Sequence, residues 1–374
     1  MAPVSHQELD RTTRPLKRII SLLEARERAD EGASTGRHGR LTGIISTDTL
    51  PRFQHINAAS VEEAVSLLNT FGERARVIAG GTDLLLELKC RVWTVQPRLL
   101  VNIKSITRSR RMDYVEVAEG GLRIGSTATL REVETDPEVR ASYSLLAQAA
   151  HAVGTPQRRN MATLGGDLCQ HVRCWYYKAS GNAYFCVRKG GDTCFATGGD
   201  NRYHAMLGFA GCHAVCPSET AIALTALDAR VVAVGPLGQR SIAVQDFFTP
   251  LGNVLASNEV VTEIRVPQPE AGTRCVLKQF RMRNALDPVV VSVAAKITLE
   301  GQVCVRATIV LGGVSPMPWR ASAAEHILAG ETLSPSLIEA TARAAVMDAT
   351  PLSKNGYKVD LAKALVKRAL SEIA

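Results

Sequence analysis

Cysteine is concentrated in one part of this chain. Six of the nine cysteines fall within 48 residues, from Cys169 to Cys216. The stretch around them, from Gly165 to about Pro217, is rich in Gly, Arg and aromatic residues and has only weak periodicity. A structureless loop of this length is unusual inside a compact domain unless something holds it in place. The obvious candidate is a bound metal, so any fold for this chain must accommodate a long, tethered loop.

The spacing of these cysteines leaves the kind of metal open. Zinc ribbons normally place their ligands in two close pairs, C-x2–4-C, and only Cys212 and Cys216 are spaced in that way. Four well-separated thiolates in a glycine-rich loop suit an iron–sulfur cluster. Zinc and plain buried thiols remain alternatives. The other cysteines, Cys90, Cys275 and Cys304, lie in apolar or strand-like contexts and are interpreted as small buried hydrophobic residues.

Composition excludes several classes of protein. The 374 residues are 46% hydrophobic, enough for two or three domains with real cores. No run approaches the ~20 apolar residues of a membrane span, and the first residues show no export signal, so we expect a cytoplasmic protein with no membrane contact. The net charge of +8 is dispersed along the chain. A zinc-stapled nucleic-acid-binding protein is therefore disfavoured, and no nucleic-acid partner is expected.

Local patterns divide the chain into three parts. Residues 1–50 combine a short helical pattern with a Gly/Ser/Thr/Arg-rich stretch, which is typical of a flexible extension. Residues 51–271 alternate short strands with helices, two of which begin with capping boxes at residues 60–63 and 129–132. The cysteine-rich insert, at about 169–217, interrupts this part. The pattern of residues 272–374 predicts three alternating strands followed by helices.

Two glycine pairs could bind phosphate. The first glycine motif is Ala79-Gly80-Gly81-Thr82-Asp83-Leu84, and the second is Thr163-Leu164-Gly165-Gly166-Asp167-Leu168. Glycines let the backbone approach a ligand closely, and successive N–H groups beside a helix N-terminus attract anions. Two such turns could hold the pyrophosphate of a dinucleotide from both sides. Neither motif is a Rossmann or P-loop signature, and no nucleophile–base arrangement or catalytic residue stands out.

The order of these motifs carries a family resemblance. Together with Leu227-Asp228-Ala229 and Leu311-Gly312-Gly313-Val314-Ser315-Pro316, they resemble the FAD-binding medium subunit of molybdenum hydroxylases, the xanthine dehydrogenase and carbon monoxide dehydrogenase family. The resemblance runs from about residue 51 to the C-terminus. It implies an α+β protein with a two-subdomain α/β FAD-binding (PCMH-type) domain and a C-terminal α+β domain of antiparallel strands and helices.

The resemblance also assigns residues to FAD. It gives both glycine motifs to the pyrophosphate and the adjacent flavin. Glu219 stands where an aspartate usually contacts the cofactor, and Val261 and Lys278 match positions near the isoalloxazine. The cofactor-binding residues implied are Ala79, Gly80, Gly81, Thr82, Asp83, Leu84, Thr163, Leu164, Gly165, Gly166, Asp167, Glu219, Val261 and Lys278.

The insert resembles that of two branches of the family. These are the 4-hydroxybenzoyl-CoA reductase β subunit and the periplasmic aldehyde oxidoreductase flavoprotein, in which the insert binds a [4Fe–4S] cluster. The matching positions nominate Cys174, Cys186, Cys194 and Cys212 as ligands, with zinc as the alternative metal. Cys169 and Cys216 are then spare thiols.

The function implied is that of an electron-transfer subunit. Substrate chemistry would take place on a molybdopterin-binding large subunit, and electrons would pass through a small subunit's [2Fe–2S] clusters to FAD. The substrate would be an aldehyde, an N-heterocycle or an aromatic acyl-CoA thioester, and ferredoxin or another carrier could be the final partner. Co-export with a partner would place the complex in the periplasm. A self-sufficient FAD oxidase of the same fold is the alternative.

Overall fold

The computed structural model describes residues 50–108, 111–283 and 287–374. The expectations for residues 1–49 lie outside the described residues. The described residues form one compact unit, in which each of three sheets belongs to one of three successive parts of the chain. None of the described helices is long and apolar enough to cross a membrane.

The first part is a small parallel sheet with helices. Its strands pair in the order β1-β3-β2, so β3 lies in the centre. The elements are β1 (Gln54–Asn57), α1 (Val61–Phe71), β2 (Ala75–Ile78), α2 (Leu84–Cys90) and β3 (Leu99–Asn102). The first glycine motif follows β2 and leads directly into α2, which confirms the predicted strand–turn–helix arrangement.

The second part is a five-stranded antiparallel sheet packed against helices. The strand order is β4-β5-β10-β6-β7. The strands are β4 (Val115–Ala118), β5 (Gly121–Gly125), β6 (Arg230–Gly235), β7 (Gly238–Ala243) and β10 (Val260–Pro267), and β8 (Phe248–Thr249) and β9 (Gly252–Asn253) form a separate two-stranded ribbon. The helices are α3 (Leu130–Thr135), α4 (Pro137–Ser142), α5 (Ser144–Ala152), α6 (Pro156–Arg159), α7 (Leu164–Cys169), α8 (Glu219–Ala226) and α9 (Val244–Phe247).

The C-terminal part is an antiparallel sheet covered by helices. Strands β11 (Thr273–Phe280), β12 (Val291–Glu300), β13 (Val303–Gly312) and β14 (Trp319–Arg320) pair in sequence order. The helices α10 (Ser322–Leu328), α11 (Pro335–Ala344) and α12 (Tyr357–Ile373) follow. Alternate apolar residues of β12 pack against α12, and those of β13 pack against α10, in a core of their own. The three alternating strands and the turn at Glu300-Gly301 agree with the sequence pattern.

The cysteine-rich insert has almost no regular secondary structure. After α7, the chain contains only two short 3-10 turns, Ser180–Asn182 and Val187–Lys189, before α8 begins. An isolated β-bridge between Arg173 and Val215 joins the two ends of the insert. The prediction of a long loop with little regular secondary structure is therefore confirmed.

Helix capping explains several boundaries. The Thr129 hydroxyl accepts from the Glu132 N–H while the Glu132 carboxylate accepts from the Thr129 N–H, so the predicted capping box is complete. At α1 the Ser60 hydroxyl caps Glu63, but the Glu63 carboxylate accepts from Ala59 instead.

The second glycine motif differs from the prediction of a second loop-like turn. Gly165 and Gly166 form the first turn of α7, because the Thr163 hydroxyl caps the Gly166 N–H.

Candidate functional site

The two glycine motifs face each other across a cleft of about 250 Å³. A Cβ atom at Gly80 would overlap the carbonyl oxygen of Met161, just before the second motif. Glycine at position 80 therefore lets the first and second parts of the fold, which are the two subdomains of the FAD-binding domain, touch each other. The residues lining this cleft include Ala79, Gly80, Gly81, Thr82, Asp83, Leu84, Trp93, Ser126, Thr163, Gly165, Gly166, Cys169, Leu255, Glu259 and Val261.

The first motif presents free backbone donors to the cleft. Gly81 has φ +69°, a conformation that favours glycine. Within the described residues, the N–H groups of Gly80, Gly81 and Thr82 have no hydrogen-bond acceptor in the chain. Unpaired N–H groups at the start of α2 suit an anion such as pyrophosphate. The cleft geometry therefore fits the phosphate-binding role implied by the sequence.

The second motif has little room for side chains. A Cβ atom at Gly165 would lie 2.8 Å from the Ser126 Cβ, so Gly165 lets α7 approach the residue that follows β5. Leu164 is fully buried and packs in the core of the second subdomain, not in the cleft. Thr163, Gly165 and Gly166 are the members of this motif that line the cleft.

The Asp83 side chain is engaged by the insert. Its carboxylate accepts from the His171 N–H at 2.9 Å and from the Lys178 ammonium at 2.7 Å. The buried Glu87 lies 3.6 Å from Lys178 and contacts the His171 ring at 2.7 Å. We call Asp83, Glu87, His171 and Lys178 the clamp. It fastens the insert to the helix that follows the first glycine motif.

The Asp167 side chain lies where the two ends of the insert meet. Its buried carboxylate accepts hydrogen bonds from the hydroxyls of Ser218 and Thr220, both at 2.6 Å, and from Gln170 at 2.7 Å. Asp167 precedes the insert and Ser218 follows it. The side chain that the sequence assigns to the cofactor thus holds the two ends of the insert together.

A second cavity of about 530 Å³ adjoins the cleft and shares Asp83 and Gln170 with it. It lies among the second subdomain, the insert and the C-terminal part. Its walls combine aromatic, apolar and cationic side chains with one predicted cluster ligand, Cys174. They include Arg158, Arg173, Cys174, Trp175, Tyr203, His204, Met282, Arg283, Pro288, Val289 and Lys358. The motif patterns give no indication of this cavity, because its walls come from distant segments.

Glu219 and Lys278 lie outside the cleft. Glu219 lines a third cavity of about 110 Å³ with Arg173 and Arg281, and it accepts from the Gln279 amide at 3.1 Å. Burial raises the pKa of Glu219 to about 7. The Lys278 ammonium forms an ion pair with Glu372 of the last helix. Of the three residues matched outside the glycine motifs, only Val261 lines the cleft.

Three of the four nominated cysteines pack together. Cys174, Cys186 and Cys212 lie in one small apolar cluster with Val172, Tyr177 and Ala214. Cys194 lies outside that cluster but follows Thr193, whose carbonyl accepts from the Val187 N–H next to Cys186. Among the described residues, no three His, Cys, Asp or Glu side chains are arranged to hold a metal ion.

Hydrogen-bond donors and cations surround these thiols. The Arg188 Nε donates to the Cys212 Sγ at 3.1 Å, and the His204 Nε2 lies 3.3 Å from the Cys174 Sγ. In the part of the chain that is described, the Lys189 ammonium is buried without a hydrogen-bond acceptor. Burial lowers the pKa of Lys189, and Cys186 and Cys174 act to raise it. This environment suits sulfur atoms that carry negative charge.

The remaining two insert cysteines have a different environment. Cys169 and Cys216 pack with the core of the second subdomain. Burial raises the pKa of each thiol to about 12, so both are protonated at neutral pH. Burial also raises the pKa of Cys174, a nominated ligand, to about 11. Protonation therefore does not separate the two groups of cysteines, and what distinguishes Cys169 and Cys216 is that they pack in a different core.

The comparison with protein families decides the identity of the site. Residues 51–269 match the FAD binding domain in molybdopterin dehydrogenase, and residues 276–373 match the CO dehydrogenase flavoprotein C-terminal domain. The chain belongs to the FAD-binding medium subunits of the xanthine dehydrogenase and carbon monoxide dehydrogenase family. It is therefore a flavoprotein and an oxidoreductase subunit, as the order of the motifs predicts.

Individual members of the family match over most of their length. The aldehyde oxidoreductase FAD-binding subunit PaoB of Escherichia coli K12 is 32% identical over 86% of this chain and 97% of its own. The carbon monoxide dehydrogenase medium chain of Hydrogenophaga pseudoflava is 29% identical over 86% and 96%. A carbon monoxide dehydrogenase structure from the same organism, lacking the Mo-pyranopterin moiety, superimposes with a TM-score of 0.69 at 28% identity, covering 86% of this chain and 97% of that one.

Proposed function

We propose that this medium subunit transfers electrons within a complex that also contains a molybdopterin-binding large subunit and a [2Fe–2S] small subunit. The observation that carries the proposal is the cleft between the two glycine motifs, in a chain that matches its family from residue 51 to residue 373. Bound FAD can exchange electrons both in pairs and singly. The protein contributes binding, orientation and electrostatics.

FAD fits the two adjoining cavities in an extended form. The free N–H groups of Gly80, Gly81 and Thr82 would bind the pyrophosphate. Trp93 and Val261 line the same cleft and would contact the adenosine half, which differs from the position near the isoalloxazine that the resemblance implies for Val261. The isoalloxazine occupies the second cavity, whose aromatic and apolar walls suit a flat ring. In this arrangement the ring lies on the side of Cys174 and away from Lys278.

The insert provides a thiolate environment for a [4Fe–4S] cluster. Support comes from three co-packed thiols, two donors directed at sulfur and the Lys189 ammonium, which has no hydrogen-bond acceptor among the described residues. Cys174, Cys186, Cys194 and Cys212 are the proposed ligands. Cys174 also lines the second cavity, so the cluster would be next to the flavin and could pass electrons to ferredoxin or a similar carrier. Zinc is the alternative occupant.

An aldehyde is the proposed substrate class of the complex. The insert motifs and the 32% identity to an aldehyde oxidoreductase subunit favour it over an N-heterocycle or an acyl-CoA thioester. Among the described residues, the cleft holds no base paired with a nucleophile, so the chemistry on substrate belongs to the large subunit. The subunit alone should not oxidise aldehydes, purines or aromatic thioesters. Robust turnover by the isolated chain would instead favour a self-sufficient oxidase.

The decisive measurement is the anaerobic absorption spectrum with flavin, iron, sulfide and zinc analysis of the same sample. Flavin bands over a broad shoulder, with about four iron atoms per flavin, are expected. Cys194→Ser should lower the iron content and leave flavin bound, whereas Cys304→Ser, in the C-terminal core, should change neither. Flavin with zinc and no iron would reject the cluster, and a folded sample without flavin would reject the whole proposal.

A further inference from the structure

Two arginines occupy the boundary between the second and third cavities. Arg158 follows the start of α6, and Arg173 lies in the insert directly before Cys174. Both side chains line both cavities. They therefore meet where the second subdomain, the insert and the C-terminal part come together.

Neither guanidinium has a partner in the described part of the chain. The Arg158 Nε is buried without a hydrogen bond, and no ion pair or hydrogen bond there involves the side chain of Arg173. The Arg173 side chain is half-buried and lines both cavities. A buried charge without a partner is costly. Such a pair, directed at cavities, points to a ligand with negative charge.

The neighbouring cations are already engaged. Arg283 pairs with Asp287 at 2.7 Å, and Lys178 pairs with Asp83. The Lys358 ammonium donates to the carbonyls of Tyr203, His204 and Gly313, and the side chain of Arg281 donates to those of Ala152 and Asp287. Of the cations that line these walls in the described part of the chain, Arg158 and Arg173 are thus the two available to a ligand.

The nearby carboxyl does not neutralise them. Glu219 lines the third cavity with both arginines, but its carboxylate accepts from Gln279 and forms no ion pair with either guanidinium. Burial raises the pKa of Glu219 to about 7 although the charge of Arg173 acts to lower it, so the carboxyl compensates Arg173 only in part at neutral pH. The positive charge of the pair therefore remains directed at the second cavity.

We propose that Arg158 and Arg173 stabilise the negative charge that the flavin ring acquires on reduction. This inference rests on the proposed function, which places the isoalloxazine in the second cavity. A flavin that gains two electrons and one proton carries a negative charge delocalised over its N1–C2=O edge, and a nearby cation favours that form. The pair thereby raises the reduction potential of the bound FAD.

Sulfite is the probe for this charge. It adds reversibly to flavin N5 through a new N–S bond, without a leaving group, and leaves negative charge on the ring. In the FAD-loaded protein, Arg173→Met and Arg158→Met should each weaken sulfite binding, measured by bleaching of the flavin absorbance, on the order of tenfold. Their two-electron reduction potentials should fall in parallel, by about 30 mV for each tenfold change in that equilibrium.

Matched variants separate charge from structure. Arg173→Lys keeps the charge and should restore sulfite affinity to within about threefold of wild type. Arg202→Met, on the same insert but paired with Asp200 and half exposed, should leave affinity and potential unchanged. If Arg173→Met does not fold, Arg158→Met carries the test alone.

The outcomes distinguish this inference from the proposed function. Wild-type protein that binds no FAD would overturn the proposed function. FAD-loaded wild type that forms no sulfite adduct, or charge-removing variants with full FAD occupancy and unchanged sulfite affinity and potential, would overturn the role of the two arginines and leave the FAD site intact.

Discussion

The glycines of the two motifs serve different physical needs. Gly81 adopts a positive φ at the turn into α2. Gly80 is required because the Met161 carbonyl lies against its α-carbon. Gly165 is required because Ser126, directly after β5, lies against its own α-carbon. The sequence predicts that both pairs belong to one binding site, but the contact between Gly80 and Met161 spans 81 residues, and no local pattern encodes it.

Gly80→Ala should separate the two walls of the cleft. The added methyl group overlaps the Met161 carbonyl, and relieving such an overlap typically costs about 1–3 kcal/mol of stability. We expect FAD affinity to fall at least roughly tenfold. When the two motifs move apart, one of them loses its contacts with the pyrophosphate. Equilibrium dialysis of the apoprotein with FAD measures the change.

Gly198→Ala is the matched control for this substitution. No atom lies within 4 Å of its Cβ position, and Gly198 has no positive φ. Its FAD affinity should equal that of wild type. Equal affinities for Gly80→Ala and wild type would mean that the contact between the motifs does not shape the cofactor site.

At the scale of secondary-structure elements, the clamp is a set of long-range contacts that local sequence patterns do not predict. Periodicity and capping predict most helices and strands of the described residues, because those signals are local. The insert is ordered instead by pairs such as Asp83 with Lys178, 95 residues apart, and Asp167 with Ser218. Asp83 and Asp167 look like cofactor residues in the motifs, and their carboxylates turn out to bind the insert.

Removing the clamp's ammonium should loosen the insert. Lys178→Met leaves the carboxylates of Asp83 and the buried Glu87 without that cation. Breaking a buried ion pair from one side typically costs about 3–5 kcal/mol, although the His171 contacts with both carboxylates remain and reduce the loss. We expect a lower urea midpoint and faster proteolysis between residues 178 and 212.

The control for the clamp is an exposed ion pair. Lys363→Met removes a partner of Asp360 on the surface of α12, where such pairs contribute about 0–1 kcal/mol. Its urea midpoint should stay near that of wild type. Equal losses in the two variants would show that Lys178 acts as an ordinary surface charge.

Across the whole molecule, the cavities lie where the three parts of the fold meet. Asn355 and Lys358 of the C-terminal part donate to backbone carbonyls of the insert around His204. Gln279 donates to Glu219 of the second subdomain. The family resemblance predicts the order of these parts, but the cavities between them depend on tertiary packing. For that reason the resemblance assigns Glu219 to the cofactor, whereas the structure places this residue in the third cavity.

Glu219 should make stability depend on pH at this junction. Its pKa rises from 4.5 to about 7 because burial disfavours the charged form, so the folded protein holds a proton that the unfolded chain releases. The resulting stabilisation is fully present below about pH 4.5 and is lost as the pH rises through 7. Glu219→Gln cannot titrate, so its stability relative to wild type should improve by roughly 1–3 kcal/mol between pH 5 and pH 8. Urea unfolding of both proteins at saturating FAD measures this difference, and a constant difference at the two pH values would mean that the carboxyl is already ionised in the folded protein at pH 5, held by Arg173 and Arg281.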